Sequence, residues 1–256
     1  MLSDEQKIRY SRHTILDEVG PDGQGRLLAG RVLVVGVGGL GSPVLMYLAA
    51  AGIGTIGIAD SDKVDLSNLQ RQIIHSAADP GRLKTHSARD TICSLNPEVR
   101  VIVHDQYVDE ASICDLIAGY DFVVDCTDNF SSKFIINDAC VRASKPFSHA
   151  GVLRFQGQLM TYLPGHACYR CLFKGPPQED IARRYSSDGI LGAVPGIIGS
   201  LQAAEALKFI AGIGHNLVDK IFIFDVLEMR TRIVDVAIAS DCPVCGKYFK
   251  NILQSN

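Results

Sequence analysis

From residue 31 onward the chain alternates short apolar runs with longer segments of helical length. Residues 32–37 carry no charge, a glycine-rich turn follows, 43–51 has helical composition, and 55–60 returns to an apolar run. Short continuous apolar runs bounded by turn residues are strands covered on both faces, so the spacing predicts a strand-helix-strand unit. Ser42 is the expected N-cap and Pro43 the first helical residue. A polar connector at 61–80 precedes a helix near 83–95, a strand at 100–107, a helix near 110–118, a strand at 122–126 and a helix at 131–143. Strands alternating with helices imply a mostly parallel sheet. Residues 147–163 then alternate as antiparallel strands do, so the sheet is expected to become mixed. The polar stretch 174–189 reads as a surface loop and cover, before an apolar helix at 197–211 and strands at 221–227 and 231–237. Residues 1–30 form a helical lead-in, with Ser3 and Gln6 spaced as a capping box and a Gly/Asp loop at 20–25. Strands and helices in this order give an α/β class.

Composition narrows what such a domain can do. With 47% hydrophobic and 21% charged residues over 256 positions, a sizeable core is available. The balance of 25 Lys and Arg against 28 Asp and Glu leaves a net charge of −3, without the basic field that attracts nucleic acid or anionic lipid. Residues 32–59 form a 28-residue uncharged run, long enough for a membrane span, but seven glycines and Pro43 divide it. The polar N-terminus has no apolar stretch suited to a signal peptide, so cytoplasmic residence is expected. Of eight cysteines, Cys168/Cys171 and Cys242/Cys245 form two Cys-x-x-Cys pairs separated by 70 residues, a pattern suited to a closed, structural zinc site. His166 is a weaker alternative ligand. The cysteines at 93, 114, 126 and 140 are expected to be small buried hydrophobes.

Three further groups carry chemistry. Gly36, Gly38, Gly39 and Gly41 form a G-x-G-x-x-G turn between strand and helix, where backbone N–H groups can face phosphate. Asp60 closes the next strand nineteen residues after Gly41, as a ribose-binding carboxylate would. These alone suit a dinucleotide dehydrogenase. Ser67, Asn68 and Arg71 in the connector, with Lys84 in the following helix, add polar and cationic groups that a triphosphate needs more than a hydride donor does. Asp128, in the Asp125–Asn129 stretch at the end of an apolar strand, is either a Mg²⁺ ligand or the N-cap of the next helix. His75, His86 and His149 read as local structural or surface histidines. Serine hydrolase, zinc protease and P-loop motifs do not occur.

The ordered set RYSRHTIL, GVGGLG, Asp60, SNLQRQ, Lys84, DCTDNF, CYRC, IIGSLQAAEALKFIAG and CPVCG resembles the ThiF/MoeB/HesA family of adenylyltransferases, relatives of the ubiquitin-activating enzymes, over nearly the whole chain. The resemblance implies one domain with a Rossmann-like, mixed, largely parallel sheet: lead-in 1–30, nucleotide-binding core 31–165, and 166–256 holding zinc knuckles, crossover loop and C-terminal strands. It implies ATP, Mg²⁺ and Zn²⁺ as cofactors. The reaction implied is attack by the C-terminal Gly-Gly carboxylate of a small ubiquitin-like sulfur carrier, MoaD- or ThiS-like, on the α-phosphate of ATP, for molybdopterin or thiamine biosynthesis. An ionised carboxylate needs positioning and charge neutralisation rather than a general base.

By the same resemblance, the Gly36–Gly41 loop, Asn68, Arg71 and Lys84 contact phosphate, with Ser67 and Asn129 beside them. Asp60 contacts ribose, Asp62 assists near ribose or metal, and Asp128 holds Mg²⁺. The position of Arg12 reaches a neighbouring subunit's ATP, which implies a homodimer. One departure stands out: where thioester- or persulfide-forming members have a cysteine, this chain has Tyr185. Adenylation alone is therefore expected, with sulfur delivered by a separate sulfurtransferase, since the segment after Cys245 is short for a further domain. The competing readings are an NAD-dependent oxidoreductase and a catalytically silent, dimeric, zinc-containing binding module.

Overall fold

The computed structural model describes residues 2–175 and 188–246. Eight strands form one sheet in the order β3-β2-β1-β4-β5-β6-β7-β8. The parallel part is β1 (Arg31–Val35), β2 (Thr55–Ala59), β3 (Arg100–His104), β4 (Phe122–Asp125) and β5 (Phe147–Leu153). The antiparallel part follows through β6 (Gln156–Tyr162), β7 (Lys220–Asp225) and β8 (Arg230–Asp235). The change of sense at β5 is the expected mixed sheet, and its cause is the tight turn at Arg154 and Phe155, too short for a crossover helix.

The apolar runs of the central strands are explained by cover on both faces. Val32 and Val34 point into one core with Leu45 and Leu48 of α4 (Gly41–Ala51) and Ile198 and Ala206 of the long apolar helix Ala193–Ala211. Leu33 and Val35, one residue out of phase, point into a second core with Ile113 and Ile117 of α6 (Ile113–Ala118) and Ile136 and Val141 of α7 (Phe130–Arg142). Fully burying each such side chain contributes roughly 1.5–3 kcal/mol. A charged residue at any of these strand positions would therefore break one layer. Helix α5 (Lys84–Leu95) lies between β2 and β3 in the chain, and a single turn, α8 (Tyr169–Leu172), holds Cys171 and has Cys168 as its N-cap; the long helix is α9.

The lead-in is helical as expected: α1 (Asp4–Arg9) has the Ser3/Gln6 capping box and is followed by α2 (Ser11–Thr14). Residues 20–25 are not a loop but open α3 (Gly20–Ala29). Tertiary bonds override the weak helix propensity of its glycines: Gln24 donates to the Ala51 carbonyl at 3.0 Å and Arg26 to the Ala211 carbonyl at 2.7 Å. Ser42 is not the N-cap of α4. That place falls to Leu40, and the Ser42 hydroxyl donates back to the Gly38 carbonyl at 2.7 Å, because the glycine turn starts the helix one residue pair earlier. α9 likewise begins at Ala193 rather than 197, since Pro195 is tolerated in a first helical turn. Cys126 and Cys140 are buried as expected, whereas Cys93 and Cys114 lie on the exposed faces of their helices and are not core residues. The expected cover at 174–189 falls mostly, with Tyr185, outside the described residues.

Candidate active site

β1 lies between β2 and β4, and the chain leaves these neighbours in opposite directions across the sheet. Ligands of open α/β sheets bind at that switch, beyond the carboxyl ends of the strands. Here the glycine turn follows β1, Asp60 follows β2 and the 125–129 turn begins at the end of β4. The turns touch: the Cys126 amide donates to the Val35 carbonyl at 2.8 Å. Gly36 is left-handed at φ +95°, and a Cβ there would lie 2.7 Å from the Cys126 carbonyl oxygen. At Gly41 a Cβ would lie 2.0 Å from the Gly36 carbonyl oxygen. Both positions exclude any larger residue, which is why the turn is tight enough to aim backbone at a ligand.

The amides of Gly38, Gly39 and Leu40 have no hydrogen-bond partner within the chain among the described residues, and α4 has no side-chain cap. Three adjacent unpaired donors at the start of an eleven-residue helix make an anion cradle. Arg71 and Pro195 flank it, with the Arg71 Cγ 3.5 Å and the Pro195 ring 3.1 Å from where a Cβ on Gly39 would sit. Arg71 also donates to the Ser67 carbonyl at 3.2 Å. Asn68 closes a capping box with Asp65 around the single 3-10 turn Leu66–Asn68, so its side-chain oxygen accepts from the Asp65 amide at 3.2 Å. Ser67 is exposed beside it.

Asp60 accepts from the Val37 amide at 2.7 Å and from the Asp62 amide at 2.8 Å, tying the glycine turn to the connector. Burial raises its pKa, opposed by those two amides and by Lys84. Lys84 is buried and pairs with exposed Asp62 at 2.8 Å. His75 binds Ser87 at 2.8 Å and the Val37 carbonyl at 3.3 Å, and His86 binds Asp105 at 2.7 Å, so both are local structural histidines. Asp128 is exposed and has no hydrogen bond or ion pair among the described residues. It is not the helix cap: Asn129 is, accepting from the Ser132 amide at 2.9 Å. Arg12 is exposed on α2 without a partner, and no contact joins it to the cradle within one chain among the described residues.

The four paired cysteines converge from residues far apart in sequence. Their sulfurs lie within 4.8 Å of one another, at 4.0 Å for Cys168–Cys171, 3.7 Å for Cys168–Cys242 and 3.3 Å for Cys171–Cys245. A tetrahedral zinc with Zn–S near 2.3 Å requires sulfurs about 3.8 Å apart, so the donor set fits that ion. His166 is engaged elsewhere, 2.7 Å from Asp219.

Two features lie within motifs of the sequence but are given their surroundings only by the fold. Gln72, within SNLQRQ, is buried beneath Gly38 with its side-chain oxygen unpaired. Asp125, wholly buried, accepts from the Thr127 amide (3.0 Å) and hydroxyl (2.6 Å), from His149 (2.9 Å) and from Lys133 (3.5 Å). Burial alone would raise its pKa, but Lys133, His149 and Thr127 outweigh this and hold it well below the usual range. Burial, reinforced by Lys133, lowers His149 to about 4, so its ring is neutral at physiological pH. A lysine in a helix and a histidine in a strand, sixteen residues apart, carry no local spacing that shows they meet.

A sheet switch point with an anion cradle, a flanking arginine and a carboxylate unpaired among the described residues defines a Rossmann-like nucleotide-binding protein. The ThiF family model matches residues 10–244, and the chain belongs to that family. It is 43% identical to the SAMP-activating enzyme E1 of Haloferax volcanii, covering 96% of this chain and 91% of that protein. It is 44% identical to the probable adenylyltransferase/sulfurtransferase MoeZ of Mycobacterium tuberculosis over 92% of this chain, and 43% identical to mouse adenylyltransferase and sulfurtransferase MOCS3 over 96%. The chain spans only 61% of MoeZ and 54% of MOCS3. Among solved structures, E. coli MccB with MccA-N7isoASN superposes with a TM-score of 0.84 at 27% identity, covering 96% of this chain and 75% of that one. E. coli MccB with ATP gives 0.79 at 26% identity, covering 88% and 68%.

Proposed function

We propose that this chain is an adenylyltransferase: it activates the C-terminal Gly-Gly carboxylate of a small ubiquitin-like sulfur-carrier protein with Mg·ATP, releasing pyrophosphate. The observation that carries this reading is the cradle of unpaired amides at Gly38, Gly39 and Leu40 with Arg71 beside it. A nicotinamide dinucleotide needs the cradle but not the cation. Attack on an α-phosphate drives charge onto the leaving β and γ oxygens, where preorganised amides and cations act most strongly. Lys84 would exchange Asp62 for phosphate, Asp60 would bind the ribose, and Asp128 would ligate Mg²⁺. Ser67, Asn68 and Asn129 would line the same opening, and Asp62, once released, would lie near ribose or metal.

The related proteins named as adenylyltransferases support the reaction class, and the resemblance supports the carrier. Zinc in the four-cysteine site, a single domain, a homodimer completed by Arg12, and cytoplasmic residence belong to the same reading; no helix among the described residues is long and apolar enough to cross a membrane. The molybdopterin and thiamine pathways are the two candidates for the product, with sulfur supplied by a separate sulfurtransferase. The test is ATP–pyrophosphate exchange on the purified protein, alone and with Gly-Gly-ended carriers of the molybdopterin and thiamine types. Exchange that appears with one carrier supports the reading and names the pathway. Saturable NADH binding without ATP binding would replace it with an oxidoreductase, and ATP binding without exchange would favour a silent binding module.

A further inference from the structure

The buried Asp125 group has no place in the chemistry so far, yet it lies directly under the turn that bears Asp128. Both neighbours of Asp128 are fastened. Thr127 is held through its amide and its hydroxyl by one oxygen of Asp125, and Asn129 by its capping bond to the Ser132 amide. Asp128, between them, is exposed and has no partner among the described residues. The Asp125 oxygen that does not touch Thr127 is held by His149 and Lys133, and its main-chain carbonyl accepts from Gln202 at 2.9 Å. Lys133 also donates to the Ala150 carbonyl at 2.7 Å, locking α7 to β5 across the carboxylate. The His149 ring is fixed in turn by Tyr169, whose centroid lies 4.1 Å away.

Such an arrangement is poor value as a stabiliser. A buried ion pair is often no better than apolar packing of the same volume, and His149 leaves its Nε2 buried without a partner. What the group does provide is a fixed backbone at Thr127, and hence a fixed direction for the carboxylate one residue on. Partners that orient a metal ligand matter in the same way as the ligand itself. We propose that Lys133 and His149, acting through Asp125 and Thr127, are positioning residues for adenylation that aim Asp128 at the Mg²⁺ of the bound nucleotide. This rests on the reading of Asp128 as a Mg²⁺ ligand.

The experiment measures the Mg²⁺ concentration for half-maximal carrier-dependent ATP–pyrophosphate exchange in the full chain and in Thr127→Val, His149→Asn, Lys133→Met and Lys133→Arg, with Asp128→Ala and Thr127→Val/Asp128→Ala alongside. Thr127→Val deletes one half-exposed hydroxyl and keeps the fold, so it decides the matter even if Lys133→Met does not fold. Thr127→Val and His149→Asn are expected to raise the Mg²⁺ requirement about tenfold, with metal-free AMP binding unchanged and Lys133→Arg close to the parent. The double variant is expected to be no worse than Asp128→Ala alone, because the first change acts through the second residue. Where exchange is too slow to titrate, Mn²⁺ occupancy with ATP, read by electron paramagnetic resonance, gives the same ordering. A raised requirement in Asp128→Ala with none in Thr127→Val and His149→Asn overturns the inference and leaves the Asp128 reading standing. An unchanged requirement in Asp128→Ala overturns both.

Discussion

His149 should make the protein acid-sensitive in a window set by its own titration. The ring is 1% exposed, donates Nδ1–H to Asp125 at 2.9 Å, and is lowered from 6.5 to about 4 by burial and by Lys133. The folded state therefore holds the neutral ring, while the unfolded chain takes up a proton as pH falls below 6.5. Stability from this residue is fully present above pH 6.5 and is lost progressively toward pH 4. Integrated from pH 7 to 4.5, that gap removes on the order of 2 kcal/mol. Asparagine at 149 keeps a donor for Asp125 but cannot titrate, so the parent should lose on the order of 2 kcal/mol more than His149→Asn over the same interval. The variant leaves space against Tyr169 and so starts from a lower stability at neutral pH, which makes the slope with pH the informative quantity. His75 and His104 are also lowered by burial, but they are present in both proteins and cancel in the difference. Asp125, held low, starts to lose its contribution as the unfolded chain protonates near the ordinary aspartate value of 3.8, below the lower end of this window. The assay is urea unfolding at intervals of half a pH unit, followed by far-UV circular dichroism because the chain has no tryptophan. Parallel pH dependences for parent and variant would refute the reasoning.

Arg71→Ala and Asp128→Ala should each lower carrier-dependent pyrophosphate exchange by about 10²–10³-fold with little change in melting temperature, and unchanged exchange in both would sink the phosphate and metal roles. Gly41→Ala drives a methyl into the Gly36 carbonyl at 2.0 Å; nucleotide binding by calorimetry should be lost, and retained affinity would mean the turn is not the cradle. Chelation, or Cys242→Ser, should release about one zinc per chain by elemental analysis and lower the melting temperature by about 6–12 °C, from roughly 3 kcal/mol in a chain of this size; a metal-free protein with the same melting temperature would contradict a structural zinc. If Arg12 completes a neighbour's site, mixing inactive Arg12→Ala with inactive Asp128→Ala should restore about a quarter of the sites after subunit exchange, whereas no recovery despite exchange would assign Arg12 elsewhere.

Much of the fold was legible because its signals are local. The apolar runs at β1, β2 and β4 have to be buried, and the glycines at 36 and 41 have to turn, whatever surrounds them. The capping box at Ser3 and Gln6 and the two cysteine pairs are likewise local spacings, and they formed where expected. Misreadings arose where distant bonds decide. Residues 20–25 contain turn formers, yet Gln24 and Arg26 bind carbonyls at Ala51 and Ala211, and those contacts make the segment helical. Asp128 and Asn129 are equally good caps by composition, and only the helix geometry gave the cap to Asn129 and left Asp128 unpaired among the described residues.

By itself, then, the sequence determined the strand-turn-helix order, the glycine turn and the pairing of the four cysteines, because hydrophobic period, allowed backbone angles and short spacings are properties of neighbouring residues. Only the tertiary structure decided which carboxylates are bound and which are free. It placed Lys133 and His149, 8 and 24 residues beyond Asp125, on one buried oxygen, since electrostatics inside a protein depend on what packs nearby rather than on what is adjacent in the chain.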